Sequence, residues 1–119
     1  MLGGLIIHIS LFFFQLPQDM VLEWNPRLVR TAGLCYCKLV KKTGVTNRSA
    51  KIALSTKVIT SPDRLRDTLI HEMCHAAVWL LNNVSGGHGP YWKAWSVLYY
   101  LELHRKIQYL SLLVSTEYY

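Results

Sequence analysis

Apolar and polar residues follow a helical pattern most clearly between Pro62 and Leu81. Ser61 is a favourable N-cap, Pro62 suits the first helical position because its missing N–H is not needed there, and Asp63 favours the positive end of the helix dipole. The pattern fades at Asn82. We therefore predict a helix that begins near Pro62 and turns one apolar stripe towards the core. The stripe comprises Leu65, Leu69, Met73, Ala76 and Leu80, widened by Ile70, Ala77 and Leu81.

Shorter runs of β-forming residues precede this helix, and a second helical pattern follows it. The predicted fold class is therefore α+β, in which a small antiparallel sheet packs against the first helix and the helix that follows it. The predicted strands lie at 21–24, 33–40 and 50–55, with a turn over 41–48, and the second helix lies at 91–103.

Two features of these elements bear on function. The segment from Lys51 to Ser55 is our candidate for a sheet edge that pairs with an extended substrate, and an internal strand is an equal alternative. Five aromatic residues lie at helical spacing, so we expect them in the core, with stacking on DNA bases as the alternative. They are Trp79, Trp92, Trp95, Tyr99 and Tyr100.

A metal-binding motif, His71-Glu72-Met73-Cys74-His75, lies within the first predicted helix. Residues four apart share one face of a helix, so His71 and His75 can present two imidazoles to one metal ion. Glu72 then projects to the side, where it can act as a general base on a water molecule. Both histidines point away from the apolar stripe, so the core and the metal use separate faces. This layout is typical of a zinc hydrolase.

A catalytic zinc site needs a third protein ligand and keeps its fourth position for water. His88 is the natural candidate, because the flexible turn over 85–87 can bring it back over the helix. Glu102 is the less favoured alternative, since a solvated surface carboxylate is expected there. The compact H-E-x-x-H-x-x-G-x-x-H pattern is excluded, because Val78 and Leu81 stand where it needs a glycine and a histidine. Zn2+ bound here would support hydrolysis of a peptide bond.

Six segments of the chain occur in an order that is found in a known family. They are Leu16-Pro-Gln-Asp-Met, Glu23-Trp-Asn, Arg30-Thr-Ala-Gly, Lys51-Ile-Ala-Leu-Ser, the stretch 63–77, and Gly87-His-Gly-Pro-Tyr-Trp-Lys. Together they resemble the SprT-like metalloprotease domain, with germ-cell nuclear acidic peptidases as the nearest members and Spartan as a cousin. The resemblance implies a DNA-dependent protease that degrades proteins trapped on DNA. Matched residue by residue, it implies zinc ligation by His71, His75 and His88, and catalysis by Glu72.

The two ends of the chain differ from the usual pattern of that family. Residues 1–15 are mostly apolar and uncharged, and residues 104–119 contain no cysteine, so we expect no zinc ribbon. We therefore predict an atypical segment at 1–15, a SprT-like domain at 16–103 and an atypical tail at 104–119. The apolar start is short for a membrane span and lacks a signal cleavage site, so no membrane partner is expected.

Positive charge is concentrated in one part of the chain. Between Arg27 and Arg66 there are ten basic residues and one acidic residue, whereas the whole chain carries a net charge of +6. Such a segment suits a phosphate backbone and predicts salt-sensitive DNA binding, with a merely solvated basic face as the alternative. The three cysteines form no even disulfide set and indicate a reducing compartment. We expect Cys35, Cys37 and Cys74 to be packing residues, with a metal-binding pair at Cys35 and Cys37 as the less favoured alternative.

The combined prediction is a nuclear, chromatin-associated zinc metalloendopeptidase. It would cleave proteins crosslinked or tightly bound to DNA, and its DNA partner would include single-stranded DNA. The alternative is a non-catalytic or weakly active DNA-binding module from a truncated SprT-like protein. The intact Glu72 favours the enzyme.

Overall fold

The computed structural model of the chain describes residues 15–85 and 87–117. Its elements are three strands followed by two helices, so the predicted α+β fold class is confirmed. In chain order they are β1 (Val21–Trp24), β2 (Gly33–Lys42), β3 (Val45–Leu54), α1 (Pro62–Leu81) and α2 (Pro90–Glu117). The predicted atypical segment at 1–15 lies, apart from Gln15, outside the described residues.

The three strands form one mixed sheet in the order β1-β3-β2. β2 and β3 pair antiparallel from Gly33↔Leu54 to Lys42↔Val45, as predicted for this pair. β1 instead pairs parallel with β3, with Val21 opposite Lys51, so the sheet is not antiparallel throughout. Because β3 is the central strand, the prediction of Lys51 to Ser55 as a sheet edge is wrong, and the alternative of an internal strand is confirmed. Within the described residues the edges are β1 and β2.

The hairpin between β2 and β3 is tighter than predicted. Only Thr43 and Gly44 form its turn, both with positive φ, at 47° and 78°. Two consecutive residues of this kind make the type I′ turn, whose twist matches that of paired strands. Strand β2 therefore extends to Lys42 and strand β3 begins at Val45, so the predicted turn over 41–48 was too long.

Helix α1 begins and ends where its pattern predicts. The Ser61 side chain accepts a hydrogen bond from the backbone N–H of Arg64 at 3.1 Å, and Asn82 forms the C-cap. Most of the predicted stripe is buried, and Met73 is fully enclosed, whereas Leu81 remains 39% exposed. The stripe packs against apolar residues of β3 to form the core. That core includes Ile52, Leu54, Leu65, Leu69, Ile70, Met73, Ala76 and Ala77.

Helix α2 is longer than the predicted 91–103 segment and runs unbroken to Glu117. Tyr99 is completely buried between the helices, as its helical spacing predicted, but Tyr100 is 42% exposed. The predicted domain limits at 16 and 103 stay a prediction, because the helix continues across the second limit without a break. None of the described helices combines the length and the apolar character that a membrane span requires.

Candidate metal centre

Three imidazoles meet where the metal-binding motif of α1 lies close to the segment that leads into α2. His71 and His75 lie one turn apart on α1, and His88 comes from the segment between the helices. Their ligand nitrogens all lie within 4.8 Å of one another, and the Nε2 atoms of His71 and His88 are 3.0 Å apart. The structure thus brings together all three residues that the sequence singled out as ligands.

The spacing of these nitrogens suits a small metal ion. Zinc binds imidazole nitrogen at about 2.0–2.1 Å with tetrahedral geometry, which places two nitrogens of one site about 3.3 Å apart. The separation of 3.0 Å between His71 and His88 is close to that value. Three neutral nitrogen donors are also a set that zinc prefers. The three histidines could therefore hold a metal ion.

The alternative third ligand, Glu102, is engaged elsewhere. It lies on α2 and accepts an ion-paired hydrogen bond from Arg105 at 2.7 Å. Among the described residues, the group that could hold a metal ion contains the three histidines and not Glu102. This placement favours His88 as the third ligand.

Glu72 lies beside the histidines and is almost inaccessible to solvent. Glu72 as a whole is only 6% exposed, whereas the side chain of the neighbouring His71 is 44% exposed. Glu72 Oε1 lies 3.9 Å from His71 Nε2, so the carboxylate reaches the edge of the cluster. Burial raises the pKa of Glu72 to about 7. A carboxylate with a pKa near neutrality can both accept and release a proton under physiological conditions.

His71 and His75 have lowered pKa values, which favour the neutral form that binds metals. Burial lowers the pKa of His75 to about 4, and the charges of His71 and His88 add to the effect. Burial, followed by the charge of His88, also lowers the pKa of His71. Since metals bind the neutral imidazole, these directions favour ligation at neutral pH.

Trp92 supports the cluster from α2, a role that the sequence reasoning missed. Its ring centroid lies 5.0 Å from that of His71, 5.9 Å from that of His75 and 4.7 Å from that of His88. Its indole N–H donates to the backbone carbonyl of His71 at 3.3 Å. One side chain therefore contacts every ligand. The available signal was its position four residues after His88, at the start of the next helix.

Gly33 is a second residue whose role the sequence did not reveal. It is buried where β2 crosses α1, next to the catalytic candidate Glu72. A Cβ at this position would lie 2.9 Å from Thr68 Cγ2, 3.2 Å from the Ala53 carbonyl oxygen and 3.2 Å from Glu72 Cγ. The missing side chain is what allows the sheet to approach the helix so closely.

Two clefts meet at the histidines, and both run beside the start of β2. The apolar cleft, of about 290 Å³, borders Glu72 and His75. The basic cleft, of about 510 Å³, borders His71 and Glu72. The lining of the apolar cleft includes Leu34, Cys35, Cys37, Val78, Trp79 and Val84, and that of the basic cleft includes Arg30, Thr31, Gly33, Arg64, Asp67 and Thr68. The histidines therefore lie between an apolar cleft and a cleft that contains two arginines.

The cysteines only partly follow the prediction that they pack in the core. Cys74 is fully buried beneath the metal-binding face of α1, and Cys35 is partly buried. Cys37 is exposed, so the packing prediction is wrong for it. The Sγ atoms of Cys35 and Cys37 lie 3.9 Å apart because residues two apart share one face of a strand.

Several residues of the basic segment 27–66 have partners within the fold. Arg48 stacks on Trp79 with its guanidinium carbon 4.1 Å from the ring centroid. Lys51 pairs with Glu23 at 3.2 Å. Arg66 pairs with two aspartates of its own helix. The positive charge available to a partner is therefore smaller than the composition suggests.

The fold and the site together define a class: a zincin-like α+β domain with a three-histidine group that could hold a metal ion. The particular family follows from comparison with known proteins. The chain belongs to the SprT-like family, whose profile matches residues 4–100. The family resemblance stated from the sequence is therefore confirmed.

Individual relatives support the same assignment. The chain is 46% identical over 84 residues to the germ cell nuclear acidic protein of Homo sapiens, covering 66% of this chain and 11% of that protein. It is 47% identical over 78 residues to the protein of the same name from Drosophila melanogaster, covering 66% and 7% of the two chains. It is 34% identical over 76 residues to the DNA-dependent metalloprotease dvc-1 of Caenorhabditis elegans, covering 60% and 20%. The chain thus spans only a small part of each relative. No solved structure matches it significantly.

Proposed function

We propose that this chain is a zinc-dependent endopeptidase domain that cleaves proteins crosslinked or tightly bound to DNA. The observation that carries the proposal is the meeting of three imidazoles within 4.8 Å of one another beside the buried Glu72. Three ligands leave one position of a tetrahedral ion for chemistry, whereas a structural site is closed by four. The expected reaction is therefore hydrolysis rather than structural metal binding.

His71, His75 and His88 would hold the ion. A zinc ion supplies a Lewis acid, which makes water more acidic and polarises a peptide carbonyl. The Glu72 carboxylate takes the proton from the attacking water and delivers it to the leaving amine nitrogen. Its burial excludes competing solvent, and its raised pKa suits both steps. Trp92 donates a hydrogen bond to the backbone of His71 and packs on all three imidazole rings, which keeps the ligands in the positions needed to bind the ion.

The substrate segment would bind along the free edge of β2. An extended peptide can add to a sheet edge through main-chain hydrogen bonds, which depend little on the amino-acid sequence of the peptide. β2 begins at Gly33, against Glu72, and contributes Leu34, Cys35 and Cys37 to the apolar cleft. A side chain next to the scissile bond would occupy that cleft. Loose, mildly apolar selectivity follows from this arrangement.

The part of the proposal that concerns DNA is supported by charge and by relatives. The segment 27–66 carries ten basic residues against one acidic residue, which suits a phosphate backbone, single-stranded DNA included. One relative is named a DNA-dependent metalloprotease, and two are named nuclear proteins. We accordingly place the protein in the nucleus, in association with chromatin.

A second candidate is a DNA-binding module without protease activity. The names of the two relatives with 46% and 47% identity mention no proteolysis, whereas the relative named as a protease is 34% identical. In that case the histidine cluster would serve stability or positioning.

The deciding experiment compares this chain with Glu72→Gln on a basic protein bound to DNA, with and without single-stranded DNA. The amide keeps the size of the side chain but cannot accept the proton from water. We expect DNA-stimulated cleavage by the chain itself and loss of at least a hundredfold in the variant, since general-base catalysis contributes about 10²–10⁴-fold. Equal cleavage by both proteins would refute the mechanism. Cleavage by neither, with zinc and DNA still bound, would favour the module.

A further inference from the structure

The basic cleft contains two cationic side chains that are not used by the fold. Both line it, Arg30 from the loop before β2 and Arg64 from the first turn of α1. Both residues are exposed, and neither forms an ion pair with any residue in the described part of the chain. Their guanidinium groups are therefore free to bind a ligand.

Two acidic residues line this cleft, and neither pairs with the two arginines in the described part of the chain: Glu72 is buried beside the histidines, and Asp67 has other partners. Asp67 also lines the cleft, but it accepts from Arg66 at 3.0 Å and from the Tyr100 hydroxyl at 3.1 Å. Its charge is thus already matched by a residue that does not line the cleft. What remains is a pair of guanidinium groups in a cleft that reaches His71 and Glu72, and guanidinium groups bind carboxylates and phosphates with paired hydrogen bonds.

The nature of the substrate distinguishes between these two anions. Proteins that bind DNA do so largely through lysine and arginine, so an acidic side chain is an uncommon feature of their DNA-contacting segments. A phosphate, in contrast, is present wherever a protein is attached to DNA. The position of the cleft, directly beside the candidate hydrolytic centre, is where the DNA end of such a conjugate would lie.

We propose that Arg30 and Arg64 form a phosphate subsite that holds the DNA strand next to the scissile peptide bond. The inference rests on the proposed function. The peptide would run along β2 and place a side chain in the apolar cleft, while the attached strand leaves through the basic cleft. The domain would then recognise the junction of protein and DNA, beyond any general attraction to DNA by its basic surface.

The test compares two substrates: a peptide crosslinked to a fluorescein-labelled single-stranded oligonucleotide, and the same peptide free. We expect Arg30→Gln and Arg64→Gln each to lower the preference for the conjugate over the free peptide, in kcat/KM, by about tenfold, the value of one charge-assisted hydrogen bond. Arg105→Gln is the control, because Arg105 is exposed and lies on α2 outside both clefts. It should keep the preference of the parent chain.

A binding assay makes the result independent of catalysis. In a Glu72→Gln background, anisotropy of the labelled oligonucleotide should show a salt dependence that weakens when both arginines are replaced. Each phosphate contact to a single strand contributes about 0.7 to the slope of log K against log salt concentration. The slope measured for the double variant should therefore be smaller by about 1.4. Circular dichroism checks that both variants remain folded.

The outcomes separate this inference from the proposed function. Cleavage of both substrates with an unchanged preference and an unchanged salt slope would overturn the phosphate subsite while leaving the protease intact. A loss confined to free peptides that carry glutamate or aspartate would also overturn it and assign the cleft to substrate carboxylates. If the parent chain cleaves neither substrate, the protease proposal fails, and the salt slope alone decides whether the arginines bind DNA.

Discussion

Replacing Gly33 by alanine tests how closely the sheet must approach the catalytic candidate. The new Cβ would lie 2.9 Å from Thr68 Cγ2, whereas relaxed contacts between carbon atoms are about 3.5–4.0 Å. It would also lie 3.2 Å from Glu72 Cγ and from the carbonyl oxygen of Ala53. The methyl group therefore pushes β2 away from α1 at the point where Glu72 leaves the helix.

The size of the effect follows from two opposing contributions. Overpacking of a well-filled interior costs about 1–3 kcal/mol. Alanine also restricts the unfolded chain, which returns about 0.4–1 kcal/mol when the native backbone suits it. The free energy of unfolding should therefore fall by about 1–2 kcal/mol, which corresponds to a fall in Tm of about 4–8 °C for a domain of this size. Displacement of Glu72 by a few tenths of an ångström should lower kcat by about tenfold, because the catalytic base must be accurately placed.

The assay measures thermal unfolding and peptide cleavage for Gly33→Ala, for Thr68→Ser and for the double variant. Serine lacks Cγ2, the atom that the new methyl group meets first, so the double variant should recover most of the loss. The two changes should show a coupling energy of about 0.5–2 kcal/mol, as expected for residues in contact. A Gly33→Ala protein with parental Tm and kcat would refute the reasoning. So would additive losses in the double variant, because they would show that Thr68 does not receive the clash.

Three further predictions concern the histidine cluster and the cysteines. His88→Ala should weaken zinc binding at least a hundredfold in a competitive chelator titration, whereas Glu102→Ala should leave it unchanged; the reverse result would make the glutamate the third ligand. Trp92→Phe keeps an aromatic ring but removes the N–H that donates to the backbone carbonyl of His71 at 3.3 Å. We expect tenfold to a hundredfold weaker zinc binding and a free energy of unfolding lower by about 1 kcal/mol. Parental zinc affinity would count against a supporting role for Trp92. Under native conditions an alkylating reagent should modify the exposed Cys37 and spare the enclosed Cys74. The reaction of Cys37 should be slow, because partial desolvation by its neighbours raises the pKa of its thiol. Equal labelling of both thiols, measured by mass spectrometry, would contradict this order.

The helices were predictable because their signals are local. The N-cap of α1, its proline and its apolar stripe lie within the helix itself, and the structure confirms a start at Pro62. The prediction ended α2 at Leu103, but residues 104–117 contain neither glycine nor proline to stop the helix, which continues to Glu117. The two-residue turn at Thr43 and Gly44 was also missed, because threonine rarely adopts the positive φ that this turn requires.

Strand pairing was less predictable because it depends on residues far apart in the chain. β1 and β3 pair although they are separated by the whole β2 hairpin, and nothing in either strand alone specifies parallel pairing. The mistaken edge at Lys51 to Ser55 has the same origin. A central strand and an edge strand can have the same composition. β3 is central because β1 pairs with one of its sides and β2 with the other, which leaves one side of β1 and one side of β2 unpaired among the described residues.

Spacing along the chain and matched segments were sufficient to identify the hydrolytic motif, its helix, the likeness to the SprT-like family and the choice of His88. The surroundings of the motif, in contrast, depend on how the elements pack in three dimensions. This packing brings Trp92 against three imidazoles and Gly33 against Glu72, and it brings Arg30 and Arg64 to the same cleft. These contacts join residues from different elements, so they arise from packing in three dimensions, for which a linear pattern carries no signal.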